Sequence, residues 1–382
     1  LNAVIGAGIF ALPGRVAVSA GLWSPWLFLV VGVLFLAVVL TFAELASYYD
    51  RTGGPVLYAT DAFGPLAGFS TGWLIYLARM TAFAANANIM AEYLASLSDV
   101  FASDNARFII ISLVTIGLTW ANVLGVKDGI RTLGVLTVLK IVPLLLLVLL
   151  GLQHVTGATF IPGGNFHVDD IGGTTLLLIY AYVGFETIGV TAGETSQPRR
   201  TIPMALVRTI LLTGLLYFLI VLVFVAVIPE EHYAGATLVD VGRALAGPAG
   251  AVVITIAAVF SIGGNLASSM LAAPRLIFSL AENRLLPQWF AHVHERYATP
   301  DRAIIVMGAM ALVLGLSSNF VNLAIGSAVV RLIGYMICIA SLPVIRRQAT
   351  PEARKQAWRL PGGYLIPAIA LAICVWLVAQ SK

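Results

Sequence analysis

Eleven apolar segments dominate this chain of 382 residues. They lie at about residues 1–20, 24–49, 68–97, 108–124, 133–152, 174–192, 207–228, 248–279, 303–317, 323–344 and 364–380. A helix needs about 20 apolar residues to cross the hydrocarbon core of a bilayer. Charged residues make up only 10% of the chain, whereas soluble proteins contain about 25%. The sequence therefore predicts an all-α integral membrane protein.

The basic residues of the loops indicate how these segments are oriented. If the N-terminus is cytoplasmic and the segments alternate in direction, the outer side holds only Arg15, Arg107, Arg243 and Lys382. The inner loops then hold Arg51, Lys127, Arg131, Arg199, Arg200, Arg208, Arg284, Arg296, Arg302, Arg346, Arg347, Arg354, Lys355 and Arg359. Cytoplasmic loops of membrane proteins carry an excess of lysine and arginine. We therefore expect a multi-pass protein of the cytoplasmic membrane with a cytoplasmic N-terminus.

Two of the apolar segments are interrupted by stretches that contain glycine. The first is residues 6–10 (GAGIF), and the second, about half a chain later, is residues 180–186 (YAYVGFE). An unwound backbone is tolerated in a bilayer only where it lines a cavity or is buried in protein. Two interrupted segments in corresponding halves of a chain indicate the binding site of a membrane transporter.

The two interruptions divide the chain into comparable halves. If segments one to five correspond to segments six to ten, the odd number of segments in each half makes the repeats inverted in topology. We expect repeat one at about residues 1–152 and repeat two at about 174–344, within a transport core at 1–344. An inner loop and an eleventh transmembrane helix would follow at 345–382.

Several motifs resemble those of one known family and occur in its order. Residues 6–14 (GAGIFALPG) resemble the first-helix motif of the amino acid–polyamine–organocation superfamily, and residues 182–186 with 194–203 resemble its sixth-helix signature. Further similar stretches are residues 43–47, 52–55, 275–287 and 299–300. The resemblance implies an inverted 5+5 transmembrane-helix repeat, the neurotransmitter-transporter-like fold, with discontinuous helices one and six.

The first interruption is the expected site of a substrate carboxylate. The half-helix that follows it begins with free N–H groups and a positive dipole end, which suit an anion. We expect Gly6, Ala7, Gly8 and Ile9 to bind the carboxylate. The alternative is a face of small residues that packs against another helix.

The second interruption is the expected site of a substrate amine. Carbonyls at the end of the first half of helix six accept hydrogen bonds from an amine, and Tyr180, Ala181 and Gly184 are the candidates. The resemblance also implies an aromatic lid over the substrate, which would be Tyr180 or Phe185. A packing or interfacial role is the alternative for Tyr180. No acidic residue other than Glu186 is expected near the pocket, which disfavours arginine and polyamines as substrates.

Lys140 is the most informative charge within the apolar segments, because it lies about 10 Å along the fifth one. A buried lysine exchanges a proton near neutral pH more readily than an exposed one. The resemblance implies that this lysine replaces the sodium ion of sodium-coupled relatives and contacts a helix-one carbonyl. Ser268 or Ser269 would then offer a hydroxyl. The alternatives are a structural ammonium group and serines that only pack.

Glu186 and Arg79 also lie within apolar segments. Intramembrane charges are functional candidates by default. The resemblance implies a gating or proton-linked role for Glu186, and the alternative is a protonated side chain in a structural hydrogen bond. Arg79 either faces the pocket, where it would favour an anionic group, or pairs with a carboxylate such as Glu186, or reaches an inner cavity.

These observations lead to one preferred function. We expect a secondary active transporter of amino acids that uses protons rather than sodium, with an amino acid exchanger or a non-transporting amino-acid receptor as alternatives. The chain carries no zinc motif, nucleophile elbow or nucleotide-binding loop, so we expect neither an enzyme nor a cofactor or metal. The net charge of +4 gives no reason to expect nucleic-acid binding, and Cys338 and Cys374 lie in apolar segments, which argues against a disulfide-linked subunit.

Overall fold

The computed structural model describes residues 4–50, 53–96, 98–125, 129–162, 168, 170–190 and 197–381. Regular structure in these ranges is helical, and they contain no strand. The α-helices are α1 (Gly8–Ala20), α2 (Ser24–Ser47), α3 (Pro55–Phe63), α4 (Pro65–Ala95), α5 (Asp104–Leu124), α6 (Gly129–Gly151), α7 (Gly157–Phe160), α8 (Ile171–Tyr182), α9 (Thr187–Val190), α10 (Pro198–Val227), α11 (Leu238–Glu282), α12 (Asp301–Ser317), α13 (Phe320–Gln348), α14 (Pro351–Gln356) and α15 (Leu365–Ala379).

Each of the eleven apolar segments contains a helix. In the described chain, seven helical stretches are long and apolar enough to cross a membrane. They are Gly8–Ser47, which joins α1 and α2, and Asp104–Leu124, Thr137–His154, Ile171–Gly189, Pro198–Val227, Leu238–Glu282 and Phe320–Gln348. These lengths and compositions confirm the prediction of an all-helical, multi-pass membrane protein.

Both glycine-containing stretches interrupt helices and lie against each other. The backbone is not helical at residues 4–7, so α1 begins only at Gly8, and it is not helical again at residues 183–186, between α8 and α9. Gly184 has a φ of +106°, which residues with a side chain rarely adopt. A Cβ atom at Gly8 would lie only 2.8 Å from the Cα of Ala181. Glycine at position 8 therefore allows the two interruptions to meet.

A third break occurs inside α11. Ala246 and Gly247 have non-helical backbone angles, and Pro248 begins the longer part of the helix, as the apolar segment at 248–279 predicts. The two parts fold closely together, since a Cβ atom at Gly250 would lie 2.0 Å from the carbonyl oxygen of Gly242. The longer part of α11 packs against α4 and α6 and reaches the region of the first interruption.

A buried ion pair joins the helix ends on one side of the bundle. The carboxylate of Glu44, at the end of α2, is fully buried and accepts hydrogen bonds from Arg346 Nε at 2.8 Å and Nη2 at 2.6 Å. The backbone N–H of Leu360 donates to the same carboxylate at 3.0 Å. We call this side the basic end, because Arg347, Arg354 and Arg359 also lie there.

The other side of the bundle, which we call the opposite end, holds a second ion pair. Arg15 of α1 lies 2.8 Å from Glu92 of α4, and its guanidinium stands over the ring of Phe320 at 4.9 Å. Both charged side chains are partly exposed, so this pair contributes little to the free energy of unfolding. Its contacts nevertheless connect α1, α4 and α13 at this end.

The close contact between α12 and α5 provides a test of this packing. A Cβ atom at Gly308 of α12 would lie 2.2 Å from Thr119 Oγ1, whereas one at Gly117 of α5 would meet no atom within 4 Å. We expect Gly308→Ala to destabilise the protein by about 1–3 kcal/mol through overpacking. Gly117→Ala, the matched control, should be neutral or stabilising because alanine favours helix. Thermal unfolding in detergent measures both variants. Equal changes in the melting temperature would contradict this packing.

Candidate functional site

A cavity of about 420 Å³ lies where the two interruptions meet. Of the residues predicted from the sequence to form the site, it brings together Gly6, Ala7, Gly8, Tyr180, Gly184, Ser268 and Ser269. Ile9, Ala181, Phe185, Glu186 and Lys140 do not line it. Residues that the sequence analysis did not assign to the cavity include Val4, Ala82, Asn86, Thr137, Val183, Thr187, Asn265, Leu271 and Ala272.

The start of α1 faces this cavity through its backbone. The N–H groups of Gly8 and Ile9 precede the first hydrogen bond of the helix, whereas that of Phe10 donates to Ala7 O at 3.0 Å. Ala7, at the position before the helix, provides no side-chain cap, and the first turn contains no acidic side chain. The positive end of the α1 dipole is therefore available to an anion in the cavity.

A row of polar side chains crosses the cavity from α8 to α11. The Tyr180 hydroxyl donates to Asn86 Oδ1 at 2.6 Å, and Asn86 Nδ2 donates to Asn265 Oδ1 at 2.7 Å. Asn265 also lies against the first interruption, since a Cβ atom at Gly6 would be 2.7 Å from its Nδ2. Neither asparagine was predicted from the sequence to belong to the site. Their presence in apolar segments was the available signal, because amides in membrane helices bond across helices.

The carbonyls of the second interruption already accept hydrogen bonds from the chain. Ala181 O accepts from the Tyr217 hydroxyl at 3.3 Å, and Gly184 O accepts from Thr187 Oγ1 at 2.6 Å. A carbonyl oxygen has two lone pairs. Gly184 O already accepts a second donor, the N–H of Thr187 at 3.3 Å, whereas Ala181 O, with Tyr217 as its donor among the described residues, can accept another. Of the two oxygens, only that of Gly184 belongs to a residue that lines the cavity.

The two aromatic residues considered as lids occupy different places. The Tyr180 ring lines the cavity and packs edge-on against Phe320 at 5.6 Å. Phe185 is fully buried away from the cavity, with its ring 5.3 Å from the rings of both Phe42 and Tyr335. Of the two, Tyr180 is therefore the one positioned to cover a ligand.

Glu186 lies at the centre of a buried charge cluster. Its carboxylate accepts hydrogen bonds from Arg331 Nη1 at 2.7 Å, from the Tyr335 hydroxyl at 2.6 Å and from the backbone N–H of Gly184 at 3.0 Å. Arg79 Nη2 lies 3.8 Å from the same carboxylate. These donors match an ionised carboxylate.

The two arginines of this cluster line the cavity. The pairing of Arg79 with Glu186 was one of the sequence-based expectations, whereas the position of Arg331, in the interior of α13, was not expected at the pocket. Two guanidinium groups share one carboxylate, and Arg331 Nε has no hydrogen-bond partner among the described residues. The cluster thus has more positive charge and more donors than Glu186 alone satisfies.

Lys140 contacts the first interruption, close to the cavity but outside its lining. The side chain is fully buried, and Nζ donates to the carbonyl oxygen of Ile5. The Ser261 hydroxyl also donates toward this oxygen, and it lies 3.4 Å from the carbonyl oxygens of both Ile5 and Gly6. Ser268 lies two helical turns away and donates to Gly264 O at 2.8 Å. The structure therefore places Ser261, rather than Ser268 or Ser269, beside Lys140.

The exposure of the cavity lining is uneven. Thr187, Ser268 and Ala272 are half-buried. Val4, Asn86 and Tyr180 are buried, and the ring of Tyr180 packs against Phe320, over which Arg15 stands. The lining is therefore more fully covered beside Phe320 than beside Ser268.

The charge cluster predicts a specific stability effect. We expect Glu186→Gln to lower the free energy of unfolding by about 3–5 kcal/mol, because removing one partner of a buried ion pair leaves the other charge uncompensated. The double variant E186Q/R331Q should recover part of this loss. Thermal unfolding in detergent measures both, with the exposed Glu282→Gln as control. A Glu186→Gln variant as stable as this control would contradict the assigned ion pair.

Known proteins are similar to this chain over nearly its whole length. The family model described as amino acid permease matches residues 1–381. The serine/threonine exchanger SteT of Bacillus subtilis (strain 168) is 27% identical, over 97% of this chain and 86% of its own length. From the same organism, the branched-chain amino acid permease BcaP is 25% identical and the methylthioribose transporter 26% identical, each over 99% of this chain and 85% of its own length. The chain belongs to the amino acid permease family and is thus a membrane transporter rather than an enzyme.

Proposed function

We propose that this protein is a secondary active transporter of amino acids that works by alternating access around the central cavity. The observation that carries the proposal is that both helix interruptions line one cavity. Interrupted helices at the interface of two repeats form the substrate sites of many secondary transporters. Two of the relatives are named for amino acids and one for methylthioribose, so the family leaves the exact substrate open.

The proposed architecture is the inverted 5+5 repeat, with repeats at about residues 1–152 and 174–344 and the segment 345–382 outside them. The basic end would face the cytoplasm, because positive charge concentrates in cytoplasmic loops. The N-terminus would then be cytoplasmic, and this structure would represent an inward-open state. Transport requires that the contacts of Arg15 and Phe320 separate in the outward-open state.

The cavity suits the two backbone groups of an amino acid. We place its carboxylate at the first turn of α1, at the backbone of Gly6, Ala7, Gly8 and Ile9. Its ammonium would lie at the carbonyls of Tyr180, Ala181 and Gly184, and Tyr180 would cover it. Neither Ile9 nor Ala181 lines the cavity in this structure, so the two residues would lie beside the ligand rather than around it.

We assign the coupling proton to Lys140 among the four residues considered for this role. Its ammonium holds the Ile5 carbonyl, immediately before the glycines of the first interruption. Loss of the proton would remove the positive charge from this contact and loosen the first interruption. Glu186, held by Arg331 and Tyr335, would instead keep its charge throughout the cycle. Ser268 and Ser269 line the cavity and would contact the substrate.

An exchanger is the second candidate, because SteT is named as one. In that case Lys140 would be a permanent structural cation, and one amino acid would return the carrier in place of a proton. The same cavity and the same interruptions would serve both mechanisms. The two are therefore separated by their driving force.

Uptake into proteoliposomes tests the driving force. We expect accumulation of a labelled amino acid mixture with an inward proton gradient and none with an inward sodium gradient. Lys140→Gln should abolish the proton-driven accumulation, because it removes the titrating ammonium, whereas Lys355→Gln, the exposed control, should retain it. Accumulation only with sodium would contradict the role of Lys140. Uptake that appears only after the vesicles are preloaded with amino acids would establish an exchanger.

The excess of guanidinium groups in the cavity predicts the charge selectivity. We expect lysine to inhibit the uptake of a neutral amino acid at least about tenfold more weakly than methionine does, because like charges placed together cost several kcal/mol. Arg79→Gln should narrow this difference. Arg275→Gln removes the same charge from an exposed site outside the cavity and should leave the difference unchanged. Equal inhibition by lysine and methionine in the unaltered protein would contradict the assignment.

A further inference from the structure

A second cavity, of about 470 Å³, lies at the basic end and is lined chiefly by arginine. Its lining is Arg346, Arg347, Arg354, Arg359, Leu360, Gly363 and Tyr364. Glu44 neutralises Arg346 through two hydrogen bonds. The other three arginines are exposed, and none of them forms an ion pair with a described carboxylate. This arginine pocket therefore presents three guanidinium groups to one small volume.

An apolar groove of about 340 Å³ continues from the arginine pocket between α13 and α15. Arg347 and Tyr364 line both spaces, so the two are contiguous. The rest of the groove is lined by Ile339, Ala340, Pro343, Pro367, Ala368 and Leu371. On α15, Leu365 and Ile369 also expose large apolar side chains. The groove thus runs along the apolar, bilayer-facing surface of the protein.

We propose that the arginine pocket and the groove together bind one anionic phospholipid. Guanidinium groups bind phosphate oxygens in a bidentate manner, and basic pockets beside membrane helices bind anionic headgroups. Arg347, Arg354 and Arg359 would hold the phosphate, and one acyl chain would lie in the groove against Ala340 and Ala368. A soluble phosphate would use the pocket alone. The contiguous groove is therefore the observation that favours a lipid.

The proposed lipid site and the central cavity share no lining residue. Its arginines lie at the ends of α13 and α14 and in the segment before α15, whereas the central cavity contacts α13 through Arg331. Lipid binding and substrate transport can therefore be measured separately. A result that overturns one proposal leaves the other to its own test.

Native mass spectrometry of the full chain in detergent tests the proposal. We expect phosphatidylglycerol to bind more tightly than phosphatidylcholine of the same acyl chains. The variant R347Q/R354Q/R359Q should bind phosphatidylglycerol at least about tenfold more weakly, because each basic residue beside an anionic headgroup contributes roughly fivefold in affinity. The control R284Q/R296Q/R302Q removes the same charge from the connection between α11 and α12 and from the first turn of α12, and it should bind as the unaltered protein does.

A groove variant separates a lipid from other anions. Ala368→Trp fills the apolar groove at an exposed position without changing any charge. It should weaken phosphatidylglycerol binding but leave the binding of glycerol phosphate unchanged. If the two triple variants lost the same affinity for phosphatidylglycerol, the binding would be a non-specific attraction to positive charge, and the proposal would be overturned. Full competition by glycerol phosphate, or unchanged lipid binding in Ala368→Trp, would establish a soluble-anion site and overturn it as well.

Discussion

The main-chain polar groups of the two helix interruptions must find partners inside the protein, and this requirement governs the arrangement of the surrounding helices. In a bilayer each unsatisfied backbone group costs several kcal/mol. The carbonyl of Ile5 accepts from Lys140 of α6 and Ser261 of α11, and that of Ala181 accepts from Tyr217 of α10. Three helices are therefore held beside the interruptions by the groups that the unwound backbone needs.

The same requirement links the second interruption to the charges of the cavity. Glu186 accepts from the N–H of Gly184 within its own turn and, with the same carboxylate, from Arg331 and Tyr335 of α13. A movement of this turn would therefore move the carboxylate relative to both arginines of the cavity. The Glu186 carboxylate thus accepts from a main-chain N–H of the interruption and also balances the charge of the cavity arginines. These partners explain how an ionised group is accommodated in an apolar segment.

The two ends of the bundle differ in how they are joined. At the opposite end the ion pair of Arg15 and Glu92 is partly exposed and separates at little cost, whereas the ring of Phe320 beside it is buried. At the basic end Glu44 is fully buried and has Arg346 and the Leu360 N–H as partners, an arrangement that is costly to break. Glu44 occupies only one of the arginines there, and this leaves the others available to an anionic lipid.

Much of the fold and part of the site could be predicted from residue type and spacing. The lengths of the apolar segments predict the helices, because a membrane helix has a minimum length. The glycines at 6, 8 and 184 indicate the interruptions, because only glycine permits the close approach at Gly8 and the backbone angle at Gly184. The contact of Lys140 with a carbonyl of the first helix was predicted by the family resemblance, and the structure shows that contact.

The register and rotation of the helices could not be predicted in this way. Ser261, Asn265, Ser268 and Ala272 recur at spacings of three and four, so all lie on one face of α11, and sequence spacing does not say which of them meets the first interruption. Likewise, nothing local to Arg331 distinguishes a helix-end residue from the partner of Glu186, 145 positions away. The sequence by itself determined which segments are helical and where they must unwind, because these depend on local backbone chemistry and segment length. Only the tertiary structure decided which polar side chains share the cavity, because that depends on how distant helices pack against one another.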